Sequence, residues 1–344
     1  MSFSRYNADD TVISSEAIVA PLWSGNITTL TSSNFFTSSI QESSINGLSY
    51  LNVYQLSTPS SGSDVQFSIA YGNISGSGSS PFNSLIPQFT PTRDIYGQYR
   101  NLIYGDENSS FTFGGSNFIS GDFYVINIAR SRYKEALQPG TLNLTLTSGS
   151  STITLTDNSN ETNDTNFIGS NEFFTIVSGS NGRSYNGNDV QTISGSYGLF
   201  FPGISTIILN AKALALPFGN GGIGLNSDQT TSTSYVAPYS TNNSILFRAI
   251  QAGGNFSLMS TETISSRWFF TRVKNQEFNY TTNPSIIDSN GNIVFDTLIN
   301  NPQTYPTTVG LYNDSNELLA VAKLSNPLPK DFTKELLLRI KLSF

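Results

Sequence analysis

The strongest constraint on this chain is the period of its apolar residues, which is two along most of its length. Val65, Phe67, Ile69 and Tyr71 alternate with Gln66, Ser68 and Ala70, and Leu142, Leu144 and Leu146 alternate with Asn143, Thr145 and Thr147. Successive side chains of an extended strand point to opposite faces, so this alternation predicts strands with one face in a core. Leu48, Tyr50, Asn52 and Tyr54 sit opposite Ser49, Leu51 and Val53 in the same way. From Phe123 to Ile128 both alternating sets are apolar, which predicts a central strand covered on both sides. At the C-terminal end Leu338, Ile340, Leu342 and Phe344 alternate with Arg339, Lys341 and Ser343. A strand there is expected to be paired rather than left as an open edge.

Turn residues divide these segments. Ser148-Gly149-Ser150 separates Leu142–Thr147 from Thr152–Thr156, and Asn313–Asn316 separates Val309–Tyr312 from Glu317–Leu324. Asn290-Gly291 lies between Ser285–Asp288 and Asn292–Phe295 and predicts a type I′ hairpin, because both residues tolerate positive φ. Helix signal is scarce: two turns over Ser131–Leu137 and one over Pro329–Glu335, under about a tenth of the chain. The expected fold class is mainly β, built as multi-domain antiparallel sandwich- or barrel-like domains with long polar loops and very little helix. Three regions are expected: 1–138, a polar β insertion or middle domain at 141–232, and 233–344, with a linker near Ser227–Ser234.

Composition then limits the chemistry. The 344 residues include no Cys and no His. That removes a Ser-His-Asp or Cys-His relay, the ordinary zinc, copper and haem ligand sets, and any disulfide. Charged residues are 12% of the chain, with 17 Lys and Arg against 24 Asp and Glu. This mild, dispersed acidity argues against nucleic-acid binding, which calls for a basic face. The first ten residues lack a basic segment followed by an apolar run, so no secretory signal is expected. The best apolar stretch, Leu199 to Phe218, is broken by Pro202, Gly203, Asn210 and Lys212, so no membrane insertion is expected.

Carboxylates are the remaining candidates for catalysis or Ca²⁺ binding: Asp9-Asp10, Asp106-Glu107, and Asp157 with Glu161 and Asp164. Each lies in a turn context where Asp and Asn bond the backbone locally, which is the commoner use. The loop from Gly72 through Gly76 and Gly78 follows a strand but has neither a Lys nor a following helix signal, so it reads as a flexible connection rather than a phosphate cradle. The Asn-x-Ser/Thr triplets at Asn26, Asn73, Asn143, Asn255 and Asn279 are what a chain about one-third Ser, Thr and Asn produces by chance. No catalytic residue, metal ligand or cofactor is expected. Arg130, Arg132 and Lys134 form a basic cluster that suits a solvated surface or an acidic partner. The abundance of Tyr and Phe beside few charges suits extended protein–protein contact, and equally a carbohydrate platform.

Five stretches carry a family resemblance: Ala17-Ile-Val-Ala-Pro-Leu-Trp23, Tyr96–Asn108, Ile126–Lys134, Thr307–Ser325 and Glu335–Phe344. Together they resemble virion structural proteins of T4-like contractile-tailed phages of cyanobacteria, and more specifically tail and baseplate wedge components. The resemblance covers the flanking regions, about half of the chain. It implies a non-enzymatic role in the virion, synthesis in the host cytoplasm, contacts with other tail or baseplate proteins, and a homo-oligomer, most simply a dimer. The residues expected at such contacts are Trp23, Tyr99, Arg100, Arg130, Arg132 and Tyr312. The competing expectations are a peripheral receptor- or carbohydrate-binding β protein of the tail and, less favoured, a carboxylate-only glycosidase or lyase.

Overall fold

A computed structural model of the chain describes residues 5–37, 50–56, 63–78, 91–115, 117–162, 166–185, 192–229, 241–280 and 283–343. The described residues are 44% strand and 16% helix, with four α-helices. The chain is mainly β with large antiparallel sheets, as its periodicity implies. Two compact units divide it: Ile18–Glu262, and Met1–Ala17 with Thr263–Phe344. This division differs from the expected boundaries near 140 and 232, because strands from all three of those sequence regions pair in one sheet.

That sheet follows the order Thr29–Leu30, Phe256–Ser257, Asn143–Ser148, Ser151–Asp157, Asn171–Ser180, Gly198–Phe201, Thr206–Asn210, Asp122–Ile128, Ser63–Asn73, Tyr50–Leu56, Phe35–Thr37. Its first and last strands are separated in sequence by residues 31–34 alone. A segment of that length spans about 15 Å at most, whereas eleven flat strands would extend about 50 Å. The sheet must therefore curl, and it forms a half-barrel.

The curl creates an inner and an outer core. Leu51, Phe67, Ile69, Ile126, Leu144, Leu155, Ile176, Phe200 and Ile207 line the inside, and Leu246 and Ile250 of α3 (Thr241–Gly253) fill it. Ala70, Phe123, Val125, Leu199, Phe201 and Ile208 face outward beneath Ile95, Tyr96 and Ile103 of α1 (Pro91–Tyr104). Phe123 to Ile128 is covered on both faces except at Asn127, matching its two apolar sets. The Ser148–Ser151 hairpin forms as expected around Gly149, at φ +59°.

Helix is underestimated by period-two reading. α1 begins at Pro91, carries Asp94 in its first turn, and ends where Gly105, at φ +67°, donates to the Asn101 carbonyl at 2.9 Å. Its buried residues Ile95, Tyr96 and Ile103 follow helical spacing. α3 does the same with Leu246, Ala249 and Ile250. α2 (Ala211–Ala215) is capped by Asn210, whose side chain accepts from the Lys212 and Ala213 amides.

Neither expected helix forms. Over Ser131–Leu137 only a 3₁₀ turn exists, at Arg130–Arg132. The Arg130 guanidinium donates to the Tyr133 and Lys134 carbonyls at 2.6 and 2.8 Å, and Leu137 pairs instead with Ser260. Within Pro329–Glu335 the Lys330 backbone pairs with Thr304 through two 2.8 Å hydrogen bonds.

In the unit of Met1–Ala17 and Thr263–Phe344, Met259–Val273 lies between Thr11–Pro21 and Leu336–Ser343. The C-terminal strand is thus paired on one side, from Leu336↔Val273 to Ser343↔Ser266. Thr308–Tyr312 and Leu318–Lys323 form a separate two-stranded hairpin, and α4 (Asp296–Asn300) is a short helix. The Asn290-Gly291 turn is not the two-residue type I′ loop. Asp288 accepts from the Gly291 amide and donates its own to the Asn292 carbonyl, a three-residue loop with Gly291 at φ +83°. The Asp288 carboxylate sets this turn by accepting from the Asn290 and Asn292 amides at 2.9 and 2.7 Å.

Candidate assembly interface

The two units bury apolar residues very unequally. Among the described residues, 50 hydrophobic side chains are buried, and only Val273, Leu311, Leu338 and Ile340 of them belong to the Met1–Ala17/Thr263–Phe344 unit. The same unit holds 14 of the 24 exposed large hydrophobics. Its hairpin shows why. Leu318, Leu319 and Val321 of the Leu318–Lys323 strand are 53%, 68% and 60% exposed, and the irregularity at Leu319 puts Leu318 and Val321 on one face. An isolated two-stranded hairpin is marginal in water. Local polar bonds define its turn: Asn313 Oδ1 accepts from the Ser315 and Glu317 amides at 3.0 and 2.8 Å, and Asn316 sits at φ +60°.

The register of the neighbouring strands places Trp268, Phe270, Arg272, Leu337, Arg339 and Lys341 on one sheet face. Arg339 lies 4.5 Å and Lys341 5.3 Å from the Trp268 ring centroid. The indole N–H donates to Ser14 Oγ at 3.0 Å, and Glu16 is 3.8 Å from the Lys341 ammonium. The opposite face carries Phe269, Leu338 and Ile340, with Tyr6 packed on Phe269 at 5.5 Å.

Of the six expected contact residues, Trp23, Tyr99, Arg100, Arg130 and Arg132 belong to the Ile18–Glu262 unit and Tyr312 to the other. Trp23 is 2% exposed and packs on Phe256 and Phe67 at 5.0 and 6.0 Å, so it belongs to the inner core. Tyr99 is half-buried edge-on to Phe123, and burial raises its phenol pKa. Arg100 lies 5.9 Å from the Tyr96 ring. Arg130 is exposed and stacks 4.6 Å over Tyr133. Arg132 donates to Ser24 Oγ and lies 3.9 Å from Asp64. Tyr312 is exposed on the hairpin of the other unit, at an irregularity beside Leu311.

The carboxylate candidates serve loops. Asp157 is fully buried and accepts from the Gly140 amide at 2.9 and 3.0 Å and from the Ser159 amide at 3.1 Å. Burial pushes its carboxyl above the ordinary Asp range despite those bonds. Glu161 instead accepts from the Ser184 amide and hydroxyl, both at 2.8 Å, and Asp164 lies outside the described residues. Asp106 is held low by hydrogen bonds from Ser109 and Asn108. Asp9 and Asp10 form a 3₁₀ turn, where Asp10 accepts from the Asn7 amide at 2.9 Å. Among the described residues no group of three or more acidic side chains is placed to hold a metal ion. In the glycine loop, Asn73 Oδ1 takes up the Ser75 and Ser77 amides that a phosphate cradle would offer.

Two buried polar clusters carry no local sequence signal. Asp122 accepts from Tyr71, Ser227 and Gln229, at 2.9, 3.1 and 3.4 Å. Burial and the Asp122 charge push the Tyr71 phenol up to about 12. The second cluster centres on Lys330, which is 0% exposed. Its ammonium donates to the Asn275 carbonyl, Asn279 Oδ1 and the Asp331 carbonyl at 2.9, 2.8 and 3.0 Å. Both clusters join residues far apart in sequence, so only the folded chain reveals them. No known protein family, curated protein or solved structure matches the chain.

Proposed function

We propose that the chain is a structural subunit of a contractile phage tail, in the baseplate wedge, where it works through contacts with neighbouring subunits rather than through catalysis. The observation that carries this reading is the imbalance of the Met1–Ala17/Thr263–Phe344 unit, which holds four of 50 buried hydrophobics but 14 of 24 exposed large ones. Burying one such side chain against a partner stabilises by about 1.5–3 kcal/mol, so their excess in this unit favours association. A partner that binds only the folded form adds its binding free energy to the stability of this unit. The sequence stretches resembling tail proteins, Thr307–Ser325 and Glu335–Phe344, coincide with the hairpin and the C-terminal strand of the same unit.

The test is mass spectrometry of purified virions before and after partial disassembly, with cryo-EM localisation. Peptides of this chain in the baseplate fraction are expected. Their absence from virions would overturn the reading.

A further inference from the structure

The strand Thr11–Pro21 lies at one edge of its sheet, with Met259–Val273 on one side and, among the described residues, no strand on the other. An unpaired edge offers a row of backbone donors and acceptors to any extended chain, and folded proteins guard such edges with Lys, Pro or a covering segment. The opposite edge of the sheet is guarded, because Leu336–Ser343 carries Arg339 and Lys341. Residues 12–20 contain no Lys, Arg or Pro, and Glu16 is their single charge.

This edge strand is exposed on both faces, and Val12, Ile13, Ile18 and Val19 are each 40% to 66% exposed. Ser14 and Glu16 reach the Trp268 face, where Ser14 Oγ accepts from the indole and Glu16 meets Lys341. Ile13, Ser15 and Ala17 therefore point to the other face. The strand is also self-complementary in sequence. When two antiparallel copies meet about a two-fold axis perpendicular to the sheet, facing residues share a side, so the axis passes through a single residue. Centred on Ser15, Val12 faces Ile18 and Ile13 faces Ala17, while each Glu16 faces a Ser14. Centring on Ser14 sets Val12 against Glu16, on Glu16 sets the two carboxylates against each other, and on Ala17 sets Ile18 against Glu16.

We infer that this edge pairs with the same edge of a second copy, antiparallel and centred on Ser15, so that one continuous sheet joins the two chains. The inference rests on the assembly reading and deepens it by naming the partner and the register. Complementarity selects the occupant: about Ser15 the strand matches apolar to apolar residues and keeps its only charges apart, which makes a second copy its fitting partner. The contact is isologous and uses both unguarded edges at once. The outer edges left in the dimer are the Leu336–Ser343 strands with their Arg339 and Lys341, so the sheet closes as a dimer instead of growing into a fibre.

The chain has no Cys, so one introduced thiol reports the register without background. In this pairing the Cα atoms of the two Ser15 residues lie about 4.5–5.5 Å apart, within disulfide range, and those of the two Ile13 residues about 14 Å apart, beyond it. Treated with diamide, Ser15→Cys is expected to form a disulfide-linked dimer roughly tenfold or more faster than Ile13→Cys. Sedimentation equilibrium of the full wild-type chain is expected to show a dimer at about 100 μM. Val12→Lys and Ile18→Glu should each weaken it by roughly tenfold. Mixed together, the two variants set the introduced ammonium opposite the introduced carboxylate, and association returns. Circular dichroism checks that each variant folds. A wild type that stays monomeric overturns the inference, as does Ile13→Cys cross-linking as fast as Ser15→Cys, or mixing without recovery. Finding the chain in virions while it stays monomeric would sink this inference alone. A dimer with this register, absent from virions, would sink the tail assignment alone.

Discussion

Arg339 and Trp268 are diagonal neighbours rather than cross-strand partners: Arg339 pairs with Phe270 and Lys341 with Trp268, yet the guanidinium sits closer to the indole than the ammonium does. The delocalised, weakly hydrated guanidinium stacks more readily on an aromatic face. Replacing Arg339 by Ala is expected to cost about 0.5–1 kcal/mol in urea unfolding. The two tryptophans also separate optically. Trp23 is buried and Trp268 is not, so Trp268→Phe is expected to leave emission that resists acrylamide quenching. Strong residual quenching in that variant would contradict the burial of Trp23.

Lys330→Met should be among the most damaging single changes in its unit. It removes three charge-assisted hydrogen bonds and leaves the Asn275 and Asp331 carbonyls and Asn279 Oδ1 without their ammonium donor. A loss of about 3–5 kcal/mol is expected, with cleavage between residues 275 and 280 under limited proteolysis as the local readout. Unchanged protease resistance would show that the ammonium does not organise that loop.

Asp157 predicts a particular pH dependence. Burial raises its folded-state pKa, so the folded form holds its proton to higher pH than the unfolded form does. Its contribution is therefore favourable below the ordinary carboxylate range and is lost as pH rises through the raised value. Comparing urea unfolding of wild type and Asp157→Asn across mildly acidic pH isolates this group. The difference should change across that window and level off above it, whereas a flat difference would contradict the raised pKa.

Gly198 occupies a strand position with no room for a side chain. A Cβ there would lie 2.1 Å from the Ile208 carbonyl oxygen and 3.0 Å from Ile176 Cδ1. The Ile208 carbonyl cannot yield without opening the pairing of Gly198–Phe201 with Thr206–Asn210. Gly198→Ala is expected to lose about 3 kcal/mol or more, seen as a depressed melting temperature. Gly149→Ala, with nothing within 4 Å but φ at +59°, should cost only about 1 kcal/mol.

The strands were legible because alternation is local: Phe67 to Tyr71 and Phe123 to Ile128 state their faces within a few residues each, whereas Val65 falls on the opposite face from Phe67 across a bulge at Gln66. The helices were less legible. α1 and α3 bury five and six residues at helical spacing, polar ones such as Thr92, Asn242 and Asn243 among them, which period-two reading passes over. The apparent helix at Ser131–Leu137 failed because one side chain, Arg130, takes the carbonyls of Tyr133 and Lys134. Of the residues expected at contacts, Trp23 lies in the core, because an aromatic after Pro21-Leu22 reads the same in a core as at a surface. The basic face was hidden for a different reason. Arg339 and Lys341 were visible in the final strand, but their meeting with Trp268 depends on a register about 70 residues long-range, which no local pattern encodes.

The curl of the large sheet also sets a timetable. Its end strand, Thr29–Leu30, finds its partner in Phe256–Ser257, 228 residues further along, where the Thr29 and Ser257 hydroxyls meet at 2.7 Å. At ordinary rates of synthesis that interval lasts on the order of ten to fifty seconds. Throughout it, the early strands must wait on the ribosome with that edge unmatched, and a pairing so distant in the chain is slow to form even after release. The final seam of the half-barrel is thus a late event in the life of each copy.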